Sequence, residues 1–237
     1  MAPGMGKEER PDRCVTGIDG LDNVLGGGIP TSSIILICGG TGTGKTALAV
    51  EFIARGAAGG EAGLFIGDVG DEKRLLSGLP SFTFLTPESI KKGTFSVIAP
   101  DEIFKDIGSD AVDAAVMGKM SSALDKVLST AKVKRLAIDG VDAFVSEKAA
   151  RAFVGAIRGV IQKNSCTAFI IADSGPKGSL AAAADGVIVL GDIERNGDFL
   201  RTMQVLKMRG TGHSRAKYVI DLTPCGILTT PLLKGGP

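Results

Sequence analysis

The chain has 237 residues, 44% hydrophobic and 22% charged, with a net charge of +1 at neutral pH. That length and balance suit one α/β domain with a filled core, and they exclude a bulk electrostatic pull toward nucleic acid or an acidic membrane. Aromatic residues are scarce, with one Tyr and no Trp, so there is little with which to stack single-stranded bases. Cys14, Cys38, Cys166 and Cys225 are far apart and form no CxxC pair. They therefore suggest neither a metal site nor a disulfide framework, and a reducing cytoplasm is expected. The opening MAPGMGKEERPDR is charged and lacks the apolar stretch of a secretory signal. No apolar run is long enough to cross a bilayer, so no transmembrane segment is expected.

Short apolar runs alternate with longer helical patterns. Ile34–Cys38 is continuous and apolar, as a strand buried on both faces would be. Residues 46–55 then place Leu48, Ala49, Phe52 and Ile53 on one helical face. Strands are predicted at 63–67 (GLFIG) and 95–99, with the intervening and following stretch, 71–110, suited to a lid or subunit contact. Val112, Val116, Met120, Leu124, Val127 and Leu128 give 110–131 a helical period. A strand at 135–139 (RLAID) ends in an acid. A helix follows around 152–161, then strands at 168–172 and 186–190. After these the helices stop, and 200–206, 218–222 and 226–228 read as strands. The βα alternation predicts an α/β fold with a mostly parallel sheet flanked by helices, and the last strands an antiparallel C-terminal extension.

Gly39-Gly40-Thr41-Gly42-Thr43-Gly44-Lys45-Thr46 fits the phosphate-loop pattern GxxxxGK[ST]. Glycines let backbone N–H groups turn inward around phosphate oxygens, and the following helix adds its positive end. Lys45 has the reach for the β and γ phosphates of ATP, and the Thr46 hydroxyl suits Mg²⁺. An apolar strand before the loop and an amphipathic helix after it meet the structural condition for the motif. Asp139, at the tip of a predicted parallel strand, stands where ligands bind and suits the metal through an ordered water.

Three further segments resemble the KaiC-like branch of the RecA superfamily of ATPases. They are TGIDGLD at 16–22 running into LGGGIP at 25–30, ADGVIVL at 184–190, and VLKMRGTGH at 205–213. The resemblance implies a single RecA/KaiC-like ATP-binding domain over 14–233, with flexible tails at 1–13 and 234–237. It also implies rings, usually hexamers, with ATP shared between subunits. In that family the Lys and Arg of the KMRG stretch reach the neighbour's nucleotide. Here these are Lys207 and Arg209, two apart on a predicted strand and so on one face, with His213 at a further trans position.

One family feature is missing. The acidic pair that follows the second core strand, one member of which polarises the attacking water, aligns with Val69 and Gly70. Asp68 and Asp71 stand nearby as substitutes, but Asp is one methylene shorter than Glu and general-base reach suffers. A regulatory or assembly protein with weak or absent hydrolysis and a protein partner is therefore expected. The alternatives are a competent ring ATPase of motor or timing type and, with nucleic acid disfavoured by composition, a RecA-like recombinase.

Overall fold

A computed structural model describes residues 12–68, 83, 92, 94–105, 107, 113–195 and 197–232. Among these, the organising element is a nine-stranded sheet. Its central strand is β3 (Ile34–Cys38), preceded by the two-residue strands β1 (Arg13–Cys14) and β2 (Ile29–Pro30) and the one-turn helix α1 (Leu21–Val24). All five residues of β3 are buried. It runs parallel to β7 (Thr167–Ala172) on one side and to β8 (Gly186–Arg195) on the other. Beyond β7 lie β6 (Val133–Ile138), β4 (Ala62–Ile66) and β5 (Phe95–Ile98), all parallel. Beyond β8 lie β9 (Asp198–Met208), β10 (Lys217–Thr223) and β11 (Gly226–Pro231), paired antiparallel as expected.

Side chains alternate across the sheet, so β3 feeds two cores. Ile34, Leu36 and Cys38 pack with the helices α4 (Ala114–Thr130) and α5 (Ala150–Asn164), while Ile35 and Ile37 pack with α2 (Lys45–Ala58). On the α2 face Phe52 stacks on Phe169 of β7 with ring centres 4.1 Å apart. This fixes the helix after the glycine loop against the sheet. Helix α4 starts at Asp113, whose carboxylate accepts the N–H of Ala115. Its buried stripe is Met117, Met120, Leu124 and Leu128; Val116 and Val127 flank it, and Val112 lies outside the described residues. Two helices of four and five residues, α3 (Asp101–Phe104) and α6 (Ser179–Ala183), have no counterpart in the periodicity of the sequence.

Two expectations need correcting. Asp12 and Arg13, assigned to the N-terminal tail, are held in place. Arg13 pairs with Pro30, and its guanidinium donates to the carbonyl oxygens of Leu25 (3.3 Å) and Gly28 (2.8 Å) and to Thr211 Oγ1 (3.1 Å). The Asp12 carbonyl accepts the Thr31 N–H. Strand β9 also ends at Met208, so Arg209 stands in the turn after the strand rather than on it.

Candidate functional site

The loop at 39–46 leaves the tip of β3 and turns into α2. Gly39, Gly42 and Gly44 have φ of 151°, 82° and 98°, which favour glycine over any L side chain. Gly39 cannot be replaced for a second reason: a Cβ there would overlap the Leu190 carbonyl oxygen of β8. A Cβ on Gly40 or Gly42 would meet nothing within 4 Å. Two glycines of the loop thus border open space. Thr43 Oγ1 donates to the Gly40 carbonyl at 2.8 Å and braces the turn. Gly44 caps α2, whose first N–H groups face the same space.

Lys45 is buried, and its ammonium makes three contacts. It donates to the carbonyl oxygens of Gly39 and Gly40, both at 2.8 Å, and pairs with Asp173 Oδ1 at 2.6 Å. Thr46 Oγ1 donates to Asp139 Oδ2 at 2.7 Å. Asp139 follows β6, which is separated from β3 by β7. The carboxylate also accepts the Gly140 N–H. Burial pushes the Asp139 carboxyl above its usual range, opposed by the bonds from Thr46 and Gly140 and by the charge of Lys45. Thr41, Gly42, Lys45, Thr46, Asp139 and Asp173 line one cavity of about 360 Å³. A second cavity, of about 460 Å³, opens on the far side of Asp139 and is lined by Asp68, Asp101 and Phe144 among others.

The predicted site residues thus divide. The loop 39–46 and Asp139 come together, and Asp68 reaches the cavity adjoining Asp139. Val69, Gly70 and Asp71 lie outside the described residues. Lys207 and Arg209 are both turned toward the end of α6 and the residues just after it. Lys207 Nζ donates to the carbonyl oxygens of Ala181 (3.1 Å), Ala182 (3.2 Å) and Ala184 (2.6 Å). Desolvation, then the charge of Arg209, push its ammonium below the usual range. Arg209 is 57% exposed and makes a longer, 3.5 Å contact with Asp185, which is already paired with Arg158 at 2.6 Å. His213 Nδ1 lies 3.3 Å from the Thr211 carbonyl. Its Nε2 is enclosed without a hydrogen-bond partner among the described residues.

Three residues at the loop were not singled out in the sequence. Asp173 faces Lys45. Asp142 Oδ2 accepts the N–H groups of Asp173 and Ser174, both at 2.9 Å, and so holds the turn after β7. Arg201 of β9 donates from Nε to the Gly42 carbonyl at 3.2 Å. Asp173 had a signal to offer, since it follows an apolar strand just as Asp139 does.

A glycine loop at the tip of a central parallel strand, with a lysine and a threonine at its mouth and an acid two strands away, defines a P-loop ATPase of RecA type. The family model described as "ATPase: KaiC" matches residues 14–234, and the chain belongs to that family. It is 29% identical to a UPF0273 protein of Aeropyrum pernix over 93% of this chain and 94% of the relative. It is 31% identical to a UPF0273 protein of Sulfurisphaera tokodaii, over 91% and 81% respectively. The crystal structure of the KaiC-like protein PH0186 from Pyrococcus horikoshii OT3 superposes with a TM-score of 0.74 at 26% identity, covering 93% of this chain and all of that one.

Proposed function

We propose that the chain binds Mg·ATP on residues 39–46 and uses it to bridge copies of itself into rings, of six in the family's usual form, with weak or absent hydrolysis. Its work is then regulation or assembly, with the ring presented to a protein partner in the cytoplasm. The 2.7 Å contact between Thr46 and Asp139 carries this proposal. It joins a hydroxyl and a carboxylate, the hard oxygen donors that suit Mg²⁺, beside a lysine. The space over Gly40 and Gly42 accepts phosphate oxygens without a clash. Thr46 would hold the metal directly and Asp139 through water, and the metal would neutralise charge on the β and γ phosphates. Gly39 to Gly44 supply backbone donors, and Lys45 supplies the fixed positive charge. The four free cysteines fit a reducing compartment, and among the described residues no helix is long and apolar enough to cross a membrane.

Weak turnover follows from the replaced acidic pair. Val69 and Gly70 have no proton acceptor, and Asp68, with Asp101, lines the cavity adjoining Asp139. That same placement favours the second reading, a competent ring ATPase in which Asp68 or Asp71 orients the water. Lys207, Arg209 and His213 would face the neighbour's nucleotide, within one domain over 14–233. Two measurements test the proposal. Purified wild type should turn over ATP scarcely faster than Lys45→Ala, and clear excess turnover overturns weak hydrolysis in favour of the second reading. Mg·ATP should drive assembly that is lost in Arg209→Ala, and assembly that ignores both ATP and Arg209 removes the bridging role.

A further inference from the structure

The ammonium of Lys45 has three protons, and all three are engaged. Two go to the carbonyls of its own loop and the third to Asp173. The loop carbonyls travel with the lysine, whereas Asp173 comes from another strand. A phosphate that takes a bond from Lys45 therefore displaces Asp173 most readily. Asp173 does not drift into this position. The backbone N–H groups of Asp173 and Ser174 are clasped by Asp142, which sits in the turn directly after Asp139. The turn after β7 is thereby tied to the end of the acid-bearing strand.

Charge sharpens the competition. Among the described residues, three side chains lining the loop cavity carry formal charge: Lys45, Asp139 and Asp173. A metal ion would offset Asp139, but among the described residues no second cation at the cavity wall offsets Asp173 once Lys45 turns to a phosphate. The terminal phosphate of a triphosphate brings the most charge to this end of the loop. A diphosphate meets Lys45 through its β phosphate alone and brings less charge against the carboxylate.

We infer that Asp173 is a specificity-determining residue, a carboxylate that stands in for the terminal phosphate on Lys45 and biases the site toward nucleoside diphosphate over triphosphate. The inference rests on the nucleotide reading above. It makes release of the bridged state depend on Asp173 regaining Lys45 when the terminal phosphate is gone. It also gives a protein partner a lever: any contact that moves the Asp142 clasp changes which nucleotide the loop prefers.

The test is calorimetric titration of the full chain, in Mg²⁺, with ADP and with the non-hydrolysable triphosphate adenylyl imidodiphosphate. Wild type is compared with Asp173→Asn and Asp173→Ala. Both variants keep the clasp, because Asp142 binds backbone N–H groups. Their melting temperatures without nucleotide check that they are folded. The triphosphate-to-diphosphate affinity ratio is expected to rise about fivefold in both, the upper range for a charge pair whose carboxylate is open to solvent, with ADP affinity changed less than twofold. An unchanged ratio overturns the inference and marks the Lys45 contact as a resting ion pair. A lowered ratio overturns it too, and assigns Asp173 to the metal's water shell. Should wild type bind neither nucleotide, the nucleotide reading fails and this inference falls with it; failure of the ratio alone leaves that reading standing.

Discussion

The glycines of the loop serve two masters, and a pair of alanine substitutions separates them. In Gly39→Ala the new methyl would overlap the Leu190 carbonyl, and the residue would also have to adopt a φ of 151°. A strained φ costs about 1–3 kcal/mol. Leu190 cannot retreat easily, because it is buried and paired with Met203 in the sheet. Forcing a methyl into such packing costs about 1–3 kcal/mol more. The sum is about 4 kcal/mol, or roughly a 10 °C loss in melting temperature for a chain of this size. Gly40→Ala puts the same methyl into open space, with no left-handed φ to sustain. Its nucleotide-free stability is expected within about 0.5 kcal/mol of wild type. If the loop wraps phosphate, however, that open space is the ligand's, and affinity for Mg·ATP should fall at least about tenfold, or 1.4 kcal/mol. Thermal melts without nucleotide and calorimetric titration with Mg·ATP measure both. Wild-type ATP affinity in Gly40→Ala would refute the phosphate cradle, and a wild-type melt in Gly39→Ala would refute the packing.

Arg135→Met removes the guanidinium bonds to the carbonyls of Val15, Thr16 and Phe52 and the 2.6 Å pair with Glu61. Glu61 is half-exposed and recovers water, so the expected loss is about 3 kcal/mol by denaturant titration. Asp139→Asn should melt higher than wild type in metal-free buffer at neutral pH, because burial holds the Asp139 carboxyl above its usual range. A raised folded value favours the folded protein at acid pH and loses that contribution as pH rises through it, so the gap between variant and wild type should narrow on acidification. The same variant should lose the Mg²⁺-dependent part of nucleotide binding, read by titration with and without the metal. Lys207→Met should destabilise the nucleotide-free protein by about 1 kcal/mol, since three carbonyls lose a charged donor, while Arg209→Ala should leave its melt unchanged.

What the sequence made legible follows from how local each signal is. The strand Ile34–Cys38 was readable because burial on both faces writes a continuous apolar run. The phosphate loop and Asp139 were readable because type and spacing lie within a few residues. The outer half of the β8–β9 hairpin was not. There Asp192, Glu194 and Arg195 are exposed while the backbone pairing continues, so β8 and β9 run beyond their apolar parts. Strands β1 and β2, two residues each, are too short to show a period. Asp173 escaped because its meaning depends on sheet order: only when β7 lies beside β3 does its tip face Lys45. Arg135 reads as the start of a strand, yet it is buried because three segments, at Val15–Thr16, Phe52 and Glu61, converge on it, and no spacing announces that.

Contacts within the chain also separate the two cations proposed to act in trans. Lys207 is committed within its own subunit, since its ammonium holds the carbonyls that end α6. Arg209 is mostly exposed and holds Asp185 only at 3.5 Å, while Asp185 keeps a shorter partner in Arg158. For a neighbour's phosphate, Arg209 is available as it stands, and its departure leaves Asp185 paired. Lys207 becomes available only by uncapping α6. A neighbouring nucleotide that engages Arg209 alone would join subunits without disturbing the fold. One that also draws Lys207 would loosen α6, which packs on α5. Coupling between nucleotide state and subunit shape would therefore run through Lys207, and simple adhesion through Arg209. A ring that still assembles on Mg·ATP with Lys207→Met but not with Arg209→Ala would separate the two.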